Sequence, residues 1–314
     1  MNPGDGYIEY IVNPKSGSSS NKLLVSEFRD YLVSRSFEVR VHFTRSLEHA
    51  CELATQAARD ATCALIAAAG GDGTVREIAR GLIGSDKPLL LIPSGTENLL
   101  GNELGFDIRT RTVIRAFESG CVRSLDLGLA DGRCFTSICG FGFDGTVVKI
   151  VTEKRRGHIN HWDYFWPLWQ TFWGHQFPVF QVEADGQPIF EGPAMVFVGN
   201  ISRYAVGLQL LHYADYGDGL LDLCIYKCSG RVHLLKHALC TIVKRHADRH
   251  DVIYKKCTRI RVSSSSRWVN TEMDGDPGPP LPLDIQVLPR AVKVLVPPDA
   301  KPAGMRTRLL RMLS

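Results

Sequence analysis

A glycine-rich turn that carries one aspartate, GGDGT at residues 70–74, is the part of the chain whose residue types most suggest chemistry. An apolar run of strand length precedes it, and a helix-like segment follows it. This order presents backbone N–H groups and a helix N-terminus to a phosphate group. Thr74 and Glu77 have the spacing of a capping box, which indicates a helix start. A carboxylate would repel phosphate unless it handles a metal ion or a nucleophile's proton, so Asp72 is a candidate catalytic residue.

Two further polar loops, NPKSG at residues 13–17 and PSGTEN at residues 93–98, also follow apolar runs of strand length. Ser94 and Glu97 fit a capping box, so the second of these loops is also explained as an ordinary helix start. Three such loops in one chain nevertheless favour a nucleotide triphosphate site. The chain has neither the GxxxxGK[ST] pattern of a Walker A loop nor the GxGxxG pattern of a dinucleotide site.

The loops need a scaffold that brings them to one edge. The first half of the chain alternates strand-like and helix-like segments, which predicts a doubly wound parallel sheet. In such a sheet the loops after the strands gather at the carboxyl edge, where ligands bind. Strands are predicted at residues 7–12, 38–43, 64–69 and 88–92, and helices at residues 21–35, 47–60, 75–82 and from residue 99.

After about residue 121 the pattern changes to short strand-like runs separated by tight turns, which predicts a mainly β, sandwich-like second domain. Asp185-Gly186 between two such runs is a hairpin signal. We therefore predict a nucleotide-binding α/β domain over residues 1–125 and a β-rich substrate domain over residues 126–298. The tail, residues 299–314, could pack back on the first domain.

The composition is typical of a soluble globular protein, with 44% hydrophobic and 22% charged residues. The net charge of +4 is too small to indicate nucleic-acid binding. Nine scattered cysteines without a CxxC pair favour free thiols in a reducing compartment. We find no signal-peptide pattern and no continuous apolar stretch of transmembrane length, so we expect a cytoplasmic protein.

Four of the five tryptophans are residues 162, 166, 169 and 173, a spacing that places them on one face of a helix. A helix packed in the core is the commoner outcome for such a pattern. Tryptophan is rarely fully buried, however, and is favoured at membrane interfaces and along apolar grooves. The basic residues 154–156 and the tail, which mixes arginine with leucine, could meet anionic headgroups. We therefore expect transient contact with a membrane surface.

The three loop motifs resemble the catalytic domain of the diacylglycerol kinase and sphingosine kinase superfamily, and most closely the soluble bacterial lipid kinases. GGDGT alone would not separate this chain from NAD kinases or phosphofructokinases, which have a similar fold there, but the other two motifs do. Landmarks similar to those of the family continue to the end of the second half: DLG at 126–128, GFD at 142–144, DGLLD at 218–222 and DGD at 274–276. The resemblance implies a kinase that uses ATP and Mg²⁺ to phosphorylate the hydroxyl of a lipid alcohol, a diacylglycerol or a sphingoid base, at the cleft between its domains.

The resemblance also implies roles for single residues. Asp274 is the first choice for the general base, and Asp72 is the alternative, because sphingosine kinases give that task to the matching aspartate. The family's carboxylates in this motif are implicated in catalysis, so Asp276 is a third catalytic candidate. The family's usual Asp-Gly-Glu is Asp-Gly-Asp here, so Asp276 keeps the charge with a shorter reach. On sequence alone, residues 274–276 are typical of a hairpin turn. The residues expected to hold the nucleotide are Asn13, Lys15, Thr44, Gly71, Gly73, Thr74, Ser94, Gly95, Thr96 and Asn98.

An acidic cluster in the second half consists of Asp215, Asp218 and Asp222. By itself this cluster is typical of a solvated loop. The resemblance implies a structural Mg²⁺ here, as in some bacterial members of the family, with Asp215 and Asp218 as its ligands.

Two other hypotheses stay open. One is a soluble-substrate kinase of the NAD kinase type, against which the tryptophan face and the loop at residues 13–17 argue. The other is a nucleotide- or lipid-binding relative without turnover, which only the replacement at Asp276 favours. The sequence identifies neither the lipid nor the oligomeric state, and it leaves a homodimer open.

Overall fold

A computed structural model describes residues 2–17, 19–153, 165–174, 176–204, 208–266 and 268–300. Contacts divide them into two compact units, one of residues 2–126 and 289–300 and the other of residues 127–288. The boundary after residue 126 lies one residue from the predicted one. Residues 289–298, however, were expected in the β-rich domain and belong to the first unit. The reason is that residues 293–295 pair in parallel with residues 88–90.

The first unit is the predicted α/β domain. Its parallel sheet has the order β2-β1-β3-β4-β15, so the last described strand completes a sheet begun by the first four. All six residues of β1 are buried, as expected for a parallel sheet covered on both faces. The elements are β1 (Tyr7–Val12), α1 (Ser19–Ser34), β2 (Glu38–Phe43), α2 (Leu47–Arg59), β3 (Cys63–Gly70), α3 (Asp72–Gly81), β4 (Pro88–Pro93), α4 (Leu99–Glu103), α5 (Thr110–Ser119) and β15 (Leu283–Leu295).

The second unit is mainly β, with antiparallel pairing, and confirms the predicted sandwich-like class. The long strand β9 pairs with β7, β8 and β10, and the β8–β9 hairpin turns at Asp185, which has a φ of 51°. Its elements are β5 (Val122–Ala130), which begins in the first unit, β6 (Arg133–Phe135), β7 (Ile138–Phe141), α6 (Phe143–Glu153), α7 (Phe165–Gly174), β8 (Val179–Ala184), β9 (Gln187–Gly199), β10 (Leu221–Lys227), α8 (Arg231–Ile242), β11 (Val252–Cys257), β12 (Arg259–Ser264), β13 (Thr271–Met273) and β14 (Asp276–Pro277).

The predicted tryptophan helix is α7. Trp169 and Trp173 are about half exposed, at 49% and 52%, so for these two the core alternative is wrong. The described part of the chain does not include Trp162, the side chain of Trp166, the basic residues 154–156 or residues 301–314 of the tail. Near the start of the tail, Arg115 donates to Asp299 at 3.1 Å. Within the described part of the chain, no helix combines the length and apolarity needed to cross a membrane.

Candidate functional site

The three polar loops of the first unit meet at the carboxyl edge of its sheet. They follow β1, β3 and β4, which are adjacent and parallel. Asn13 Nδ2 donates to Thr74 Oγ1 at 2.8 Å, which ties the first loop to the first turn of α3. The hydroxyls of Ser16 and Ser94 lie 3.1 Å apart and tie the first loop to the third. Ser16, which we had not singled out, therefore belongs with the predicted nucleotide residues.

The second and third loops touch through their glycines. A Cβ placed on Gly95 would lie 2.5 Å from Gly71 Cα, and one placed on Gly71 would lie 3.2 Å from Gly95 Cα. Two backbones can approach this closely only where neither residue carries a side chain. The contact brings the loop around Gly95 against the start of α3.

Helix α3 begins at Asp72, with Gly71 as its N-cap and no side-chain capping bond. The predicted capping box is therefore wrong. Thr74 lies inside the helix and accepts from Asn13, while Glu77 accepts from Arg80 at 2.7 Å. A helix N-terminus without a side-chain cap is suited to an anion, because its N–H groups and its dipole both favour negative charge.

The other predicted residues of this edge have different surroundings. Asp72 is half-buried, and its Oδ1 accepts the N–H of Leu100 at 3.2 Å. Asn98 is buried and closes its own loop through two hydrogen bonds with the backbone of Gly95, at 2.8 and 2.9 Å. The second predicted capping box is also wrong, because Asn98, with a φ of 48°, is the N-cap of α4. The remaining predicted residues are exposed Lys15 and Thr96, buried Thr44 after β2, and Gly73 in the first turn of α3.

A cavity of about 330 Å³ opens beside the first loop. Apolar side chains from β1, β2 and α1 form much of its wall, and three polar residues of the loop edge join them. The apolar group is Val12, Val25, Val41 and Phe43, and the polar group is Asn13, Ser16 and Ser94.

Asp274, in the second unit, occupies the turn of the β13–β14 hairpin with a φ of 50°. The hairpin expected from sequence alone is thus present. Its carboxylate is held by four donors: Thr136 N at 2.8 Å, Thr136 Oγ1 at 3.1 Å, Ser137 N at 2.8 Å and Ile138 N at 3.1 Å. These donors anchor the hairpin to the connection between β6 and β7. Asp276 is half-buried and begins β14.

A buried acidic pair beside this hairpin escaped the sequence analysis. Asp144 and Glu272 are almost fully buried, and a Cβ on Gly140 would lie 2.3 Å from Asp144 Oδ2 and 3.0 Å from Glu272 Oε1. Tyr204 donates to the other oxygen of Asp144, and Gly275 N donates to that of Glu272 at 2.9 Å. Burial raises the pKa of both carboxyls, and the charge of Asp144 raises that of Glu272 further. The arrangement favours a proton held between the two.

The acidic cluster of the second unit contains a lysine. Lys256 Nζ donates to Asp218 Oδ2 at 2.5 Å and lies 3.4 Å from Asp222 Oδ2. Burial lowers the pKa of Lys256, but the carboxylates of Asp222 and Asp218 outweigh this effect and raise it, so the group is an ammonium ion. Tyr254 donates to Asp222 Oδ1 at 2.7 Å.

These contacts test the structural Mg²⁺ that the resemblance implies at Asp215 and Asp218. Asp218 Oδ1 accepts the N–H of Leu220 at 3.1 Å, so donors from the protein engage both oxygens of that carboxylate. Within the described ranges, no group of three or more His, Cys, Asp or Glu side chains could hold a metal ion. The residues present do not fit a divalent cation, because an internal ammonium ion already lies in the cluster and donates to Asp218.

Comparison with known proteins identifies both halves of the chain. Residues 8–130 match the diacylglycerol kinase catalytic domain, and residues 137–296 match the YegS C-terminal NAD kinase beta sandwich-like domain. A diacylglycerol kinase of Bacillus subtilis is 28% identical over 296 residues, which cover 92% of this chain and 96% of that protein. One from Mycobacterium tuberculosis is 28% identical over 235 residues, 73% of this chain and 75% of that protein. A crystal structure of a Bacillus anthracis diacylglycerol kinase shares the fold, with a TM-score of 0.71, 21% identity and coverage of 94% and 98%.

Proposed function

Because the chain belongs to the family that joins a diacylglycerol kinase catalytic domain to a YegS C-terminal domain, we propose that it transfers the γ-phosphoryl group of ATP to the hydroxyl of a diacylglycerol. Family membership supports a lipid kinase in general terms. ATP as the donor and diacylglycerol as the acceptor are the parts that we propose. The observation that carries the proposal is the meeting of three polar loops at the uncapped start of α3.

The nucleotide would lie along this edge. Apolar walls such as Val12 and Phe43 suit a heteroaromatic base in the cavity, and Asn13, which also lines the cavity, bonds Thr74 of α3. The phosphates would then reach the N–H groups of the first turn of α3 and the glycine contact, where helix dipole and backbone donors favour negative charge. Catalysis of phosphoryl transfer rests mainly on such positioning and charge stabilisation. Mg²⁺ would arrive with the nucleotide and neutralise charge on its phosphates.

We assign the proton of the attacking hydroxyl to Asp72 rather than to Asp274. Four donors engage the carboxylate of Asp274, whereas Asp72 begins α3 at the edge where the three loops meet. A carboxylate whose lone pairs serve as structural acceptors is a poor proton acceptor for substrate. In this assignment Asp274 positions the β13–β14 hairpin. Asp276, two residues later, keeps the negative charge that the family has at that position.

The test measures transfer of labelled γ-phosphate from ATP–Mg²⁺ to three acceptors: a short-chain diacylglycerol, sphingosine and NAD. We expect labelled diacylglycerol product, and a loss of roughly 10²–10⁴-fold in Asp72→Asn, the range of general-base catalysis. Asp131→Asn, at an exposed turn, is the matched control and should retain activity. Phosphate transfer to NAD alone or to sphingosine alone would contradict diacylglycerol as the acceptor and would identify the other compound in its place. Nucleotide binding without any transfer would favour a relative that lacks turnover.

A further inference from the structure

Helix α8 of the second unit packs on the protein through a mainly polar side and exposes most of its large apolar residues. Leu234, His237 and Thr241 form its buried side. Apart from Leu234, its large apolar side chains face solvent, with exposed fractions that run from 53% at Leu235 to 81% at Val232. A surface helix of a soluble protein normally turns its apolar stripe to the core. The exposed apolar residues, whose spacing places them on one face, are Val232, Leu235, Leu239, Ile242 and the following Val243.

Hydrogen bonds on the buried side fix this orientation. The ring of His237 bonds Lys227 O through Nε2 at 2.9 Å, and the hydroxyls of Thr241 and Tyr226 lie 3.2 Å apart. Burial lowers the pKa of His237, consistent with a neutral ring. Rotation of α8 to bury its apolar face would break both contacts and expose Leu234. The apolar face is therefore a fixed feature of the surface.

Helix α7 extends this apolar area. The rings of Trp169 and Trp173 meet edge to face at 5.7 Å, and both are about half exposed. Arg231, the first residue of α8, donates to Trp173 O at 2.5 Å and places its guanidinium 5.5 Å from the Trp173 ring centre. Arg231 thus joins the C-terminal end of α7 to the start of α8, and the exposed apolar residues of the two helices are here named the α7–α8 surface. Its members are Trp169, Trp173, Val232, Leu235, Leu239, Ile242 and Val243.

The charge around this surface is positive. Residues 229–245 contain no Asp or Glu but four basic residues. Lys236 pairs with Asp251 at 2.7 Å. Lys244 and Arg245, at the C-terminal end of α8, are exposed and form no ion pair within the described residues. The neighbouring acids are Asp251 and Asp248. Asp251 also accepts a hydrogen bond from Arg249, and Asp248 accepts one from Tyr213.

We propose that the α7–α8 surface docks this protein on a lipid bilayer that carries anionic headgroups. The proposal rests on the proposed function, because a diacylglycerol acceptor resides in a bilayer. Tryptophan and aliphatic side chains flanked by basic residues are the composition of an interfacial membrane contact. A second copy of the chain is a poor occupant, since a two-fold axis would place the surface and its basic residues against themselves.

The experiment measures binding to vesicles of phosphatidylcholine, with and without phosphatidylglycerol, by co-sedimentation. Leu235→Glu with Leu239→Glu should weaken binding by about tenfold or more, because two apolar contacts are lost and two negative charges are added. Val33→Glu with Ile108→Glu changes two equally exposed apolar residues of the first unit and should leave binding unchanged. Lys244→Asn with Arg245→Gln should weaken binding only to the anionic vesicles, by roughly fivefold per charge. Asparagine is chosen at position 244 because Lys244 has a φ of 57°, a left-handed conformation that asparagine tolerates.

Phosphorylation of a water-soluble, short-chain diacylglycerol separates this proposal from the proposed function. The Leu235/Leu239 variant should keep the parent's activity on that acceptor and lose activity on diacylglycerol in vesicles. Brominated lipids should quench the parent's tryptophan fluorescence, and less so that of Trp169→Phe with Trp173→Phe. Failure of the parent to bind anionic vesicles would overturn the docking proposal, whatever its kinase activity. Equal binding of the parent and the Leu235/Leu239 variant to these vesicles would also overturn the docking proposal. A dimeric parent and a monomeric Leu235/Leu239 variant would overturn it as well.

Discussion

The ammonium group of Lys256 lies 2.5 Å from the carboxylate of Asp218, inside a cluster of acids for which the family resemblance implied a magnesium ion. Asp222, fully buried, lies 3.4 Å from the same nitrogen. A monovalent cation that is part of the chain therefore takes the place expected of a bound divalent ion. The second unit should fold to the same stability with or without metal.

Replacement of this lysine should make the stability depend on metal. Lys256→Met leaves buried carboxylates without their cation, which typically costs about 3–5 kcal/mol. We expect EDTA to leave the parent's thermal unfolding unchanged, and millimolar Mg²⁺ to raise the melting temperature of Lys256→Met. Lys255→Met, the preceding position on β11, is the control and should show neither effect. A parent protein that Mg²⁺ stabilises as much as the variant would contradict this account.

The anchoring role of Asp274 predicts a graded loss of stability. Asp274→Asn turns one acceptor oxygen into a donor that faces backbone N–H groups, so at least one charge-assisted hydrogen bond is lost and a donor is left unsatisfied, at about 3 kcal/mol. Thr136→Val removes only the hydroxyl donor and should cost about 1 kcal/mol. Urea unfolding measures both values. Asp274→Asn with the parent's unfolding midpoint would show that the four hydrogen bonds do not hold the hairpin.

The acidic pair of Asp144 and Glu272 predicts that stability falls as the pH rises. Their pKa values in the folded protein lie above the ordinary 3.8 and 4.5 of the unfolded chain, so the folded state binds the extra proton. The stabilisation is complete below those ordinary values and is lost as the pH rises through the folded values, at about 1.4 kcal/mol per pKa unit. Unfolding free energies across this range should flatten in Glu272→Gln, which cannot ionise. In Glu183→Gln, at an exposed position of β8, the slope should match the parent's.

The glycine contact at the loop edge predicts a loss of nucleotide binding on a minimal substitution. In Gly95→Ala the new Cβ would lie 2.5 Å from Gly71 Cα, so the two loops must separate. We expect affinity for an ATP analogue, measured by calorimetry, to fall about tenfold or more, which corresponds to about 1.4 kcal/mol. Gly174→Ala, with no atom within 4 Å of the new Cβ, should bind as the parent does. Equal affinity in both variants would place the nucleotide away from this contact.

The regular part of the first unit could be predicted because its signals are local. The predicted strands at residues 7–12 and 38–43 are observed with those limits, since each is an apolar or alternating run that ends at a polar loop. The meeting of the loops also followed from parallel order alone. The capping box predicted at Thr74 and Glu77 is absent for a different reason. The Thr74 hydroxyl accepts from Asn13, 61 residues away, and spacing within a helix carries no trace of that partner.

The second unit was less predictable because its breaks and pairs depend on distant residues. The strands β11 and β12 are separated at Thr258, whose N–H donates to Asp185, 73 residues earlier. Lys256 and Asp218 are 38 residues apart, so the cluster looked purely acidic. Glu272 did carry a local signal, an acid within a short strand-like run, but its partner Asp144 lies in the unpredicted helix α6.

The return of β15 to the first unit affects the order in which the protein can fold during synthesis. The described residues of the second unit all lie between 127 and 288, so they have been made before residues 293–295 leave the ribosome. Until then β4, which pairs with β3 along one edge, has its other edge unpaired. Among the described residues, the unit that begins the chain is therefore completed last, and a fragment that ends at residue 126 would keep that open edge.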